Sequence, residues 1–393
     1  MPAEIRRLLV LNMMTDADDP ILGFTTAWIN ALAERCGCVD VITMIAGRLE
    51  VAANVRVFSL GKERGYSEPR RAVEFYRVLG WLLSQDHYDA AFAHMTPLFA
   101  VMGAPLFRLH RVPVTLWYAH SQVSLTLRLA ELAADHAVSA SPESFRLPSR
   151  KLIIMGHGID TEEFRPAERL DPLLSYGHSP PQAGEEQDER QASSLEAASN
   201  KQPTDQPIFT VGTVGRIGPK KQTALLVEAA RILAEDGVDF RARIVGAPLP
   251  GDEGYVEGLK EEAQRLGLGN KVLFTGPVRF ERVVEEYQAL DAMVNMSLTG
   301  AIDKAVLEAM ACGVPAVTSN EAFFPILEPW KDLLIVADGS ARTLAERLKA
   351  LIGMGQAERA ALGEKLRQIV VEQHSLDRLM DRLVALWVGE RRR

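Results

Sequence analysis

The 393-residue sequence contains little cysteine. Its three cysteines, Cys36, Cys38 and Cys312, are too few to build a disulfide framework, which favours a reduced cytoplasmic setting. Cys36 and Cys38 stand one residue apart, but no second cluster of cysteine or histidine at ligand spacing accompanies them. The sequence therefore argues against a structural metal site and a secreted disulfide scaffold.

A strong excess of charge of one sign is also missing. The net charge of −8 comes from 44 basic and 52 acidic residues, and the acidic excess lies mainly in residues 167–207. Neither flanking half has the surplus of lysine and arginine with which general nucleic-acid binders neutralise phosphates. Nucleic acid is thus not an expected partner.

Long hydrophobic runs are absent as well. The apolar run RLLVLNMM near the N-terminus turns polar at Thr15 and Asp16, and no signal-peptide cleavage region follows it. A spanning helix needs about 20 apolar residues, so this run is too short. We interpret it as the first buried strand of a cytoplasmic protein.

What the sequence does contain is a repeated alternation of strand-like and helix-like segments. It runs through residues 1–166 and again through residues 208–375, and 393 residues exceed what one hydrophobic core usually supports. Such alternation predicts parallel sheets covered by helices on both faces. The expected fold is α/β, with two doubly wound domains facing a cleft. The predicted strands of the second half lie near Phe209, Ile244, Leu273, Met293, Ala316 and Leu334.

The two halves are separated by a break in composition. From Tyr176 to Pro207 the chain has almost no periodic apolar residues and is dominated by proline, glutamine, glutamate, serine and alanine. Such a segment cannot bury enough surface to offset its ordering entropy. We predict a flexible interdomain insertion over residues 167–207.

A basic cluster follows the first strand of the second half. Gly215 ends the strand, and Arg216, Lys220 and Lys221 precede an amphipathic helix. Cations are disfavoured at the positive end of a helix dipole unless an anion compensates them. This pattern indicates a nucleotide or another phosphorylated ligand, with Lys220 as a solvated neighbour of the binding pair.

The later segment SLTGAIDKAVLEAMACG ends in a predicted helix that carries one acid on an otherwise apolar face. Glu308 lies among small and apolar residues, which predicts that its carboxylate is buried. A buried carboxylate without hydrogen-bond donors is costly, so Glu308 must have donors, either within the protein or on a ligand.

These residues resemble the retaining glycosyltransferases of family 4, which have the GT-B fold. The first half matches more loosely, through Ile159-Asp160, Phe164 and Pro166. The motifs of the second half are Gly215-Arg216 with Lys221, Ile244-Val245-Gly246, Val272-Leu273-Phe274-Thr275-Gly276, the strand at Asp291, and the run from Leu307 through Glu308 to Pro315.

The resemblance implies transfer of a sugar, with retention, from a nucleoside-diphosphate sugar to the hydroxyl of a glycan, a lipid-linked acceptor or a small molecule. Residues 1–166 would hold the acceptor, and residues 208–375 the donor. Arg216 and Lys221 would clamp the diphosphate and stabilise the leaving group, Glu308 would bind the ribose, and His120 would reach the transferred sugar. Gly215, Gly246 and Gly276 would line the nucleotide site. No Asp-x-Asp metal cluster stands in the predicted donor half, residues 208–375, so no cofactor is expected and metal independence is favoured.

The sequence departs from the family at two places. Most members have a second glutamate eight residues before Glu308, where this chain has Gly300. Asp303 and Lys304, at the entry to the same helix, are candidates for the missing sugar or phosphate contact. Gly23 stands alone where the family usually has paired glycines near the donor phosphate, and His94 is a further candidate for a residue facing the site.

Two surface predictions follow. The helix within residues 376–393 has an apolar stripe that would pack back onto the N-terminal domain, the alternative being a homodimer contact. The segments Arg70–Leu83 and Phe107–Arg111 combine apolar residues with arginines, which suggests peripheral contact with the inner face of a membrane. The alternative for Arg70–Leu83 is a helix that faces the core. The apolar stripe of the helix within residues 376–393 consists of Leu376, Leu379, Leu383 and Leu386.

Two other functions remain open at this point. The replacement of glutamate by Gly300 is compatible with a non-catalytic GT-B-like protein that binds nucleotide sugars. A sugar-nucleotide epimerase of the same architecture would need an acid and a base at the sugar.

Overall fold

A computed structural model describes residues 5–19, 22–167, 208–279 and 282–391. The predicted insertion at residues 167–207 lies, apart from its first residue, outside the described residues. Two sheets organise the rest of the chain, one of seven strands and one of five, and every strand pair between named strands is parallel.

The N-terminal domain is built on the seven-stranded sheet. Its strands are β1 (Ile5–Thr15), β2 (Cys36–Ala46), β3 (Val55–Ser59), β4 (Ala90–His94), β5 (Val114–Trp117), β6 (His136–Ser139) and β7 (Leu152–Ile154). Its helices are α1 (Phe24–Ala33), α2 (Glu68–Gln85), α3 (Pro97–His110) and α4 (Leu125–Ala133). The strand order is β3-β2-β1-β4-β5-β6-β7. The central strands are almost continuously buried because helices cover both faces of the sheet.

The C-terminal domain repeats this plan on the five-stranded sheet. Its strands are β8 (Thr210–Val214), β9 (Arg241–Val245), β10 (Val272–Gly276), β11 (Ala292–Asn295) and β12 (Ala316–Thr318). Its helices are α5 (Ala224–Glu235), α6 (Glu253–Arg265), α7 (Val283–Gln288), α8 (Lys304–Ala311), α9 (Phe324–Leu327), α10 (Lys331–Leu334), α11 (Ala341–Gly353) and α12 (Gln356–Gln373). The strand order is β10-β9-β8-β11-β12.

One predicted strand of this domain is wrong. The residues up to Leu334 form the short helix α10, and the following residue, Ile335, makes only an isolated bridge with Thr318 of β12. A short apolar run fits a buried helical turn as well as a strand, so its pattern could not separate the two.

Each sheet reverses its strand order at one point. In the first sheet β1 lies between β2 and β4, and in the second β8 lies between β9 and β11. Ligands of doubly wound folds bind in the crevice outside the carboxyl ends of strands at such a point. In the second sheet, a ligand is therefore expected beside the loops that follow β8 and β11.

The last helix, α13 (Leu376–Arg391), returns to the N-terminal domain. Arg35 at the end of α1 bridges Asp377 and Asp381, and the indole N–H of Trp387 donates to Thr115 Oγ1 in β5 at 3.0 Å. The predicted return of the last helix is thus confirmed. Three of its leucines are buried and the fourth is half-buried, so the apolar stripe is covered within the chain itself. These leucines are Leu376, Leu379, Leu383 and Leu386.

Helix α2 contains the first of the two segments on which the membrane prediction rested, Arg70–Leu83. Phe75, Leu79 and Leu82 are buried in the core of the N-terminal domain, so this apolar stripe faces inward. The alternative of a core-facing helix is therefore correct. Its outer face carries Tyr76 and Trp81, which are 46% and 47% exposed. Within the described ranges, every helix is too short or too polar to cross a membrane.

Candidate functional site

Three glycines end the adjacent strands β8, β9 and β10 at one edge of the sheet. The N–H of Gly215 donates to Val245 O at 3.0 Å, and the N–H of Gly246 donates to Gly276 O at 2.9 Å. Gly246 has φ +136°, and a Cβ added to it would lie 1.8 Å from Gly215 O. Only glycine fits where two backbones approach this closely, so the strand ends leave bare backbone at the sheet edge.

A cleft of about 960 Å³ lies beside these strand ends, between the two domains. Ile217 also lines a second cavity of about 370 Å³, which Gly246 and Gly276 border. The larger cleft, of about 960 Å³, is lined by residues from both the predicted acceptor side and the predicted donor side. Its lining residues are His120, Ser121, Gln122, Arg216, Ile217, Gly218, Pro219, Lys220, Lys221, Leu249, Asp252, Leu298, Thr299, Ala301, Ile302, Asp303 and Lys304.

The predicted phosphate clamp, Arg216 and Lys221, lies in this cleft. Arg216 is exposed and makes no hydrogen bond or ion pair to the part of the chain that the structure describes. Lys221 ends a 3-10 turn, Pro219–Lys221, and its ammonium pairs with Asp303. One guanidinium is therefore free for an anion, and one ammonium already has a protein partner.

Asp303 lies immediately before α8 and has two side-chain partners. Its Oδ2 accepts from Lys221 Nζ and from Asn295 Nδ2, the latter at 3.0 Å. Burial disfavours the charged form, but the Lys221 ammonium and the hydrogen bonds from Lys221 and Asn295 outweigh it and lower the pKa of this carboxyl. Asp303 therefore carries a negative charge at neutral pH.

Glu308 is buried in α8, and both of its oxygens have protein donors. Lys304 Nζ lies 2.9 Å from Oε1, and the hydroxyl of Tyr287 donates to Oε2 at 2.8 Å. Burial beside this carboxylate raises the pKa of Tyr287 well above its usual value, so the phenol remains a donor. The predicted burial and hydrogen bonding of Glu308 are present. Because Glu308 does not line the cleft itself, the ribose assignment stays a prediction.

Lys304 connects this network to the N-terminal domain. Its ammonium lies 4.2 Å from the ring centroid of Phe24 in α1, a cation–π contact.

Gly23 stands immediately before Phe24, at the start of α1. A Cβ added to Gly23 would lie 2.7 Å from Asp19 O. Gly23 does not line the cleft, and the local turn alone accounts for the glycine.

Gly300 stands in the loop between β11 and α8. Its φ is +61°, and a Cβ at this position would lie 2.3 Å from Arg146 Nη2 of the N-terminal domain. The same Nη2 donates to Gly300 O at 3.2 Å. A glutamate side chain would therefore require Arg146 to move and the backbone to leave the left-handed region.

Two further side chains of the N-terminal domain hold this loop. Ser121 Oγ donates to Thr299 O at 2.8 Å, and the N–H of Ile302 donates to Ser144 Oγ at 3.0 Å. We call these three contacts, made by Ser121, Ser144 and Arg146 to residues 299–302, the interdomain clasp. The clasp places the entry to α8 against the N-terminal domain.

The two candidate histidines differ in position. His120 is exposed in the cleft, where its Nδ1 accepts the N–H of Gln122 at 3.0 Å, so a neutral ring carries its proton on Nε2. His94 is buried against Trp28, at 4.7 Å between ring centroids, and burial lowers its pKa to about 3. His94 is a core residue and not part of the cleft.

Sequence reasoning missed several residues of the site. Tyr287, Asn295 and the clasp residues Ser121, Ser144 and Arg146 carry no motif that marks them. Their partners lie between 8 and 178 positions away along the chain, so no local pattern could reveal them. Within the described residues there is no group of three or more histidine, cysteine, aspartate or glutamate side chains placed to hold a metal ion.

Residues 195–369 match the family model described as Glycosyl transferases group 1. This match covers somewhat less than half of the chain. The D-inositol 3-phosphate glycosyltransferase of Mycolicibacterium smegmatis is 33% identical over 144 residues, which are 37% of this chain and 30% of that protein. The Streptomyces scabiei enzyme of the same name is 30% identical over 124 residues, 30% of this chain and 27% of that protein. The chain thus matches about a third of the length of these curated relatives.

Solved structures show the same fold over nearly the whole chain. HepE from Anabaena, crystallised with UDP, has a TM-score of 0.70 at 19% identity and covers 98% of this chain and 100% of its own. The sucrose-phosphate synthase of Thermosynechococcus elongatus has a TM-score of 0.69 at 18% identity, covering 97% and 98%. WaaG, a glycosyltransferase of lipopolysaccharide biosynthesis, has a TM-score of 0.63 at 15% identity, covering 97% and 100%. The predicted GT-B fold is confirmed.

Proposed function

We propose that this chain is a retaining glycosyltransferase that transfers a sugar from a nucleoside-diphosphate sugar to an acceptor hydroxyl. The observation that carries the proposal is the position of Arg216 and Lys221 in the cleft between the domains, beside the carboxyl ends of parallel strands. The match of residues 195–369 to the model for glycosyl transferases group 1 supports the proposal. HepE, which has a similar fold, has been crystallised with UDP and with UDP-glucose, and this supports a nucleotide-sugar donor.

The proposed mechanism is mainly electrostatic. When the bond between the sugar and the diphosphate breaks, negative charge develops on the leaving diphosphate. Arg216 and Lys221 stabilise that charge, while the acceptor hydroxyl attacks from the same face of the sugar. His120 contacts the transferred sugar from the N-terminal side of the cleft. Domain closure excludes water and so limits donor hydrolysis.

The nucleotide is proposed to bind at the carboxyl edge of the second sheet. Gly215, Gly246 and Gly276 leave the backbone accessible there, and the lone pairs of Glu308 that Tyr287 and Lys304 do not use accept the ribose hydroxyls. Because two side-chain cations face the diphosphate, we expect activity without a divalent metal. Transfer that is retained in EDTA would agree with this expectation.

A non-catalytic nucleotide-sugar binder is the second candidate. It is favoured by the absence of an acid at Gly300 and by the ion pair that already occupies Lys221. In such a protein the donor would bind but not turn over. The two candidates therefore predict the same ligand and different products.

The test begins with nucleotide binding. UDP, GDP and ADP are compared by thermal shift, since a ligand of the folded state raises its apparent stability. UDP-glucose and a panel of other nucleotide sugars are then incubated with glycan, lipid-linked and small acceptors, and release of the nucleoside diphosphate is measured. We expect release to be lost in Arg216→Ala and kept in Arg265→Ala, a matched surface arginine that pairs with Glu262.

The outcomes separate the alternatives. Binding without release supports the non-catalytic candidate, and epimerised donor in the absence of acceptor supports the epimerase. If no nucleotide or nucleotide sugar binds, the proposal is wrong.

Peripheral membrane contact is tested separately by co-sedimentation with anionic liposomes at low salt. A protein that stays in the supernatant would rule this partner out.

A further inference from the structure

Two aspartates line the cleft, and they differ in their partners. Asp303 pairs with Lys221, and its side chain is 12% exposed. Asp252 makes no ion pair to any residue that the structure describes. One carboxylate in the cleft is therefore held at the proposed phosphate clamp, while the other is not.

The pair with Lys221 places a carboxylate where a phosphate would bind. Carboxylate and phosphate oxygens accept from an ammonium in the same way, so they compete for Lys221. Asp303 has other support, because Asn295 Nδ2 donates to the same oxygen at 3.0 Å and the backbone amide of Ala305 also favours its charged form. These donors remain when Lys221 leaves, and they keep the side chain of Asp303 in place.

Asp303 also lies close in sequence to the missing sugar contact. It follows Gly300 by three positions, within the loop that the interdomain clasp holds. Asp303 lines the cleft, so its carboxylate, once freed from Lys221, can accept from hydroxyl groups of a ligand there. Gly300 has no side chain that could do so.

We propose that Asp303 exchanges partners when donor binds: it holds Lys221 in the empty cleft, yields Lys221 to the diphosphate, and then accepts hydroxyl groups of the transferred sugar. This inference rests on the proposed function and names a specificity-determining residue within it. Free nucleoside diphosphate breaks the ion pair and offers Asp303 nothing in return. A nucleotide sugar breaks the same pair and replaces it. The exchange therefore makes the cleft prefer donor over the released nucleoside diphosphate.

The experiment compares Asp303→Asn with Asp252→Asn, which removes the same charge from the same cleft without touching the ion pair. Isothermal titration calorimetry measures inorganic pyrophosphate, UDP and UDP-glucose against each folded variant. We expect Asp303→Asn to bind pyrophosphate and UDP about tenfold more tightly than the wild type, and Asp252→Asn less than threefold. The ratio of UDP-glucose affinity to UDP affinity should fall only in Asp303→Asn.

The Lys221→Ala background provides a second comparison. There the substitution Asp303→Asn should alter pyrophosphate affinity no more than Asp252→Asn does, because the competing pair no longer exists. Weaker pyrophosphate binding in Asp303→Asn, or equal effects of the two aspartate variants in the wild-type background, would overturn the exchange. Pyrophosphate does not depend on the nucleotide base. If UDP and its sugar fail to bind, the pyrophosphate comparison still decides the inference, and the nucleotide panel decides the function.

Discussion

The buried carboxylate of Glu308 has a protein partner at each of its two oxygens. Tyr287 holds one oxygen and Lys304 the other, and the ammonium of Lys304 also faces the ring of Phe24. Breaking a buried pair by removing one partner leaves the other charge uncompensated, which is costly. Any ligand hydroxyl at Glu308 thus adds to an existing network and does not create one.

A substitution at Glu308 tests the ribose contact. We expect Glu308→Gln to weaken both nucleoside diphosphate and nucleotide sugar by roughly ten- to a hundredfold, because both carry the ribose and one hydrogen bond to a charged group is lost. Tyr287→Phe is the matched control, since it removes a neighbouring hydrogen bond and leaves the carboxylate. Calorimetric titration measures the affinities. Unchanged nucleotide affinity in a folded Glu308→Gln protein would refute the ribose assignment.

At the scale of elements, α1, β4 and β5 meet in an aromatic cluster. Trp28 of α1 packs against His94 of β4 and, at 5.0 Å between ring centroids, against Trp117 of β5. Burial lowers the pKa of His94 to about 3. On the segments that cross between the domains, burial also lowers the pKa of His157 and of His374 to about 4.

These imidazoles predict a loss of stability in mild acid. The unfolded chain binds protons below pH 6.5, whereas the folded protein keeps these rings neutral down to about pH 4. The unfolded state therefore binds more protons in this window, and the free energy of unfolding falls as the pH is lowered, by up to about 1.4 kcal/mol per pH unit for each ring. Urea unfolding followed by tryptophan fluorescence at pH 6.5, 5.5 and 5 measures the slope.

The contribution of one ring is isolated by His94→Phe, which keeps an aromatic side chain beside Trp28 and Trp117. We expect this variant to lose less stability than the wild type between pH 6.5 and pH 5. The same loss in both proteins would show that His94 does not contribute.

At the scale of the whole molecule, the interdomain clasp joins the two halves of the cleft. Ser144 is fully buried, and its hydroxyl accepts the N–H of Ile302 and lies 3.0 Å from Ser141 Oγ. Without Ser144 the buried N–H has no acceptor, which costs about 1–3 kcal/mol in the closed arrangement. The clasp is thus expected to favour closure of the domains around the donor.

Ser144→Ala tests that role. We expect a larger radius of gyration by small-angle X-ray scattering with nucleotide bound, a higher KM for the donor, and partial recovery in Ser144→Thr, which keeps the hydroxyl. Ser124→Ala is the control, because Ser124 Oγ caps α4 at Leu127 within the N-terminal domain. Equal behaviour of the two alanine variants would contradict a role in closure.

The sequence by itself determined the elements and the residues next to them. Buried parallel strands are apolar throughout and alternate with amphipathic helices, so nearly every strand was visible, and glycines and cations after β8 follow directly from the strand end. The apolar run ending at Leu334 misled because it is too short to distinguish a helical turn from a strand. Predictions from such local signals succeed because the cause lies within a few residues.

Only the tertiary structure decided which side chains meet. Lys221 and Asp303 are 82 positions apart, and Ser144 and Ile302 are 158 apart. Their contacts depend on strand order and on how the two domains dock, neither of which a local pattern encodes. The sequence showed that Gly300 lacks a carboxylate. The docking of Arg146 and the φ of +61° at Gly300 show what a side chain there would disturb, since a Cβ would lie 2.3 Å from the guanidinium and Arg146 would have to move.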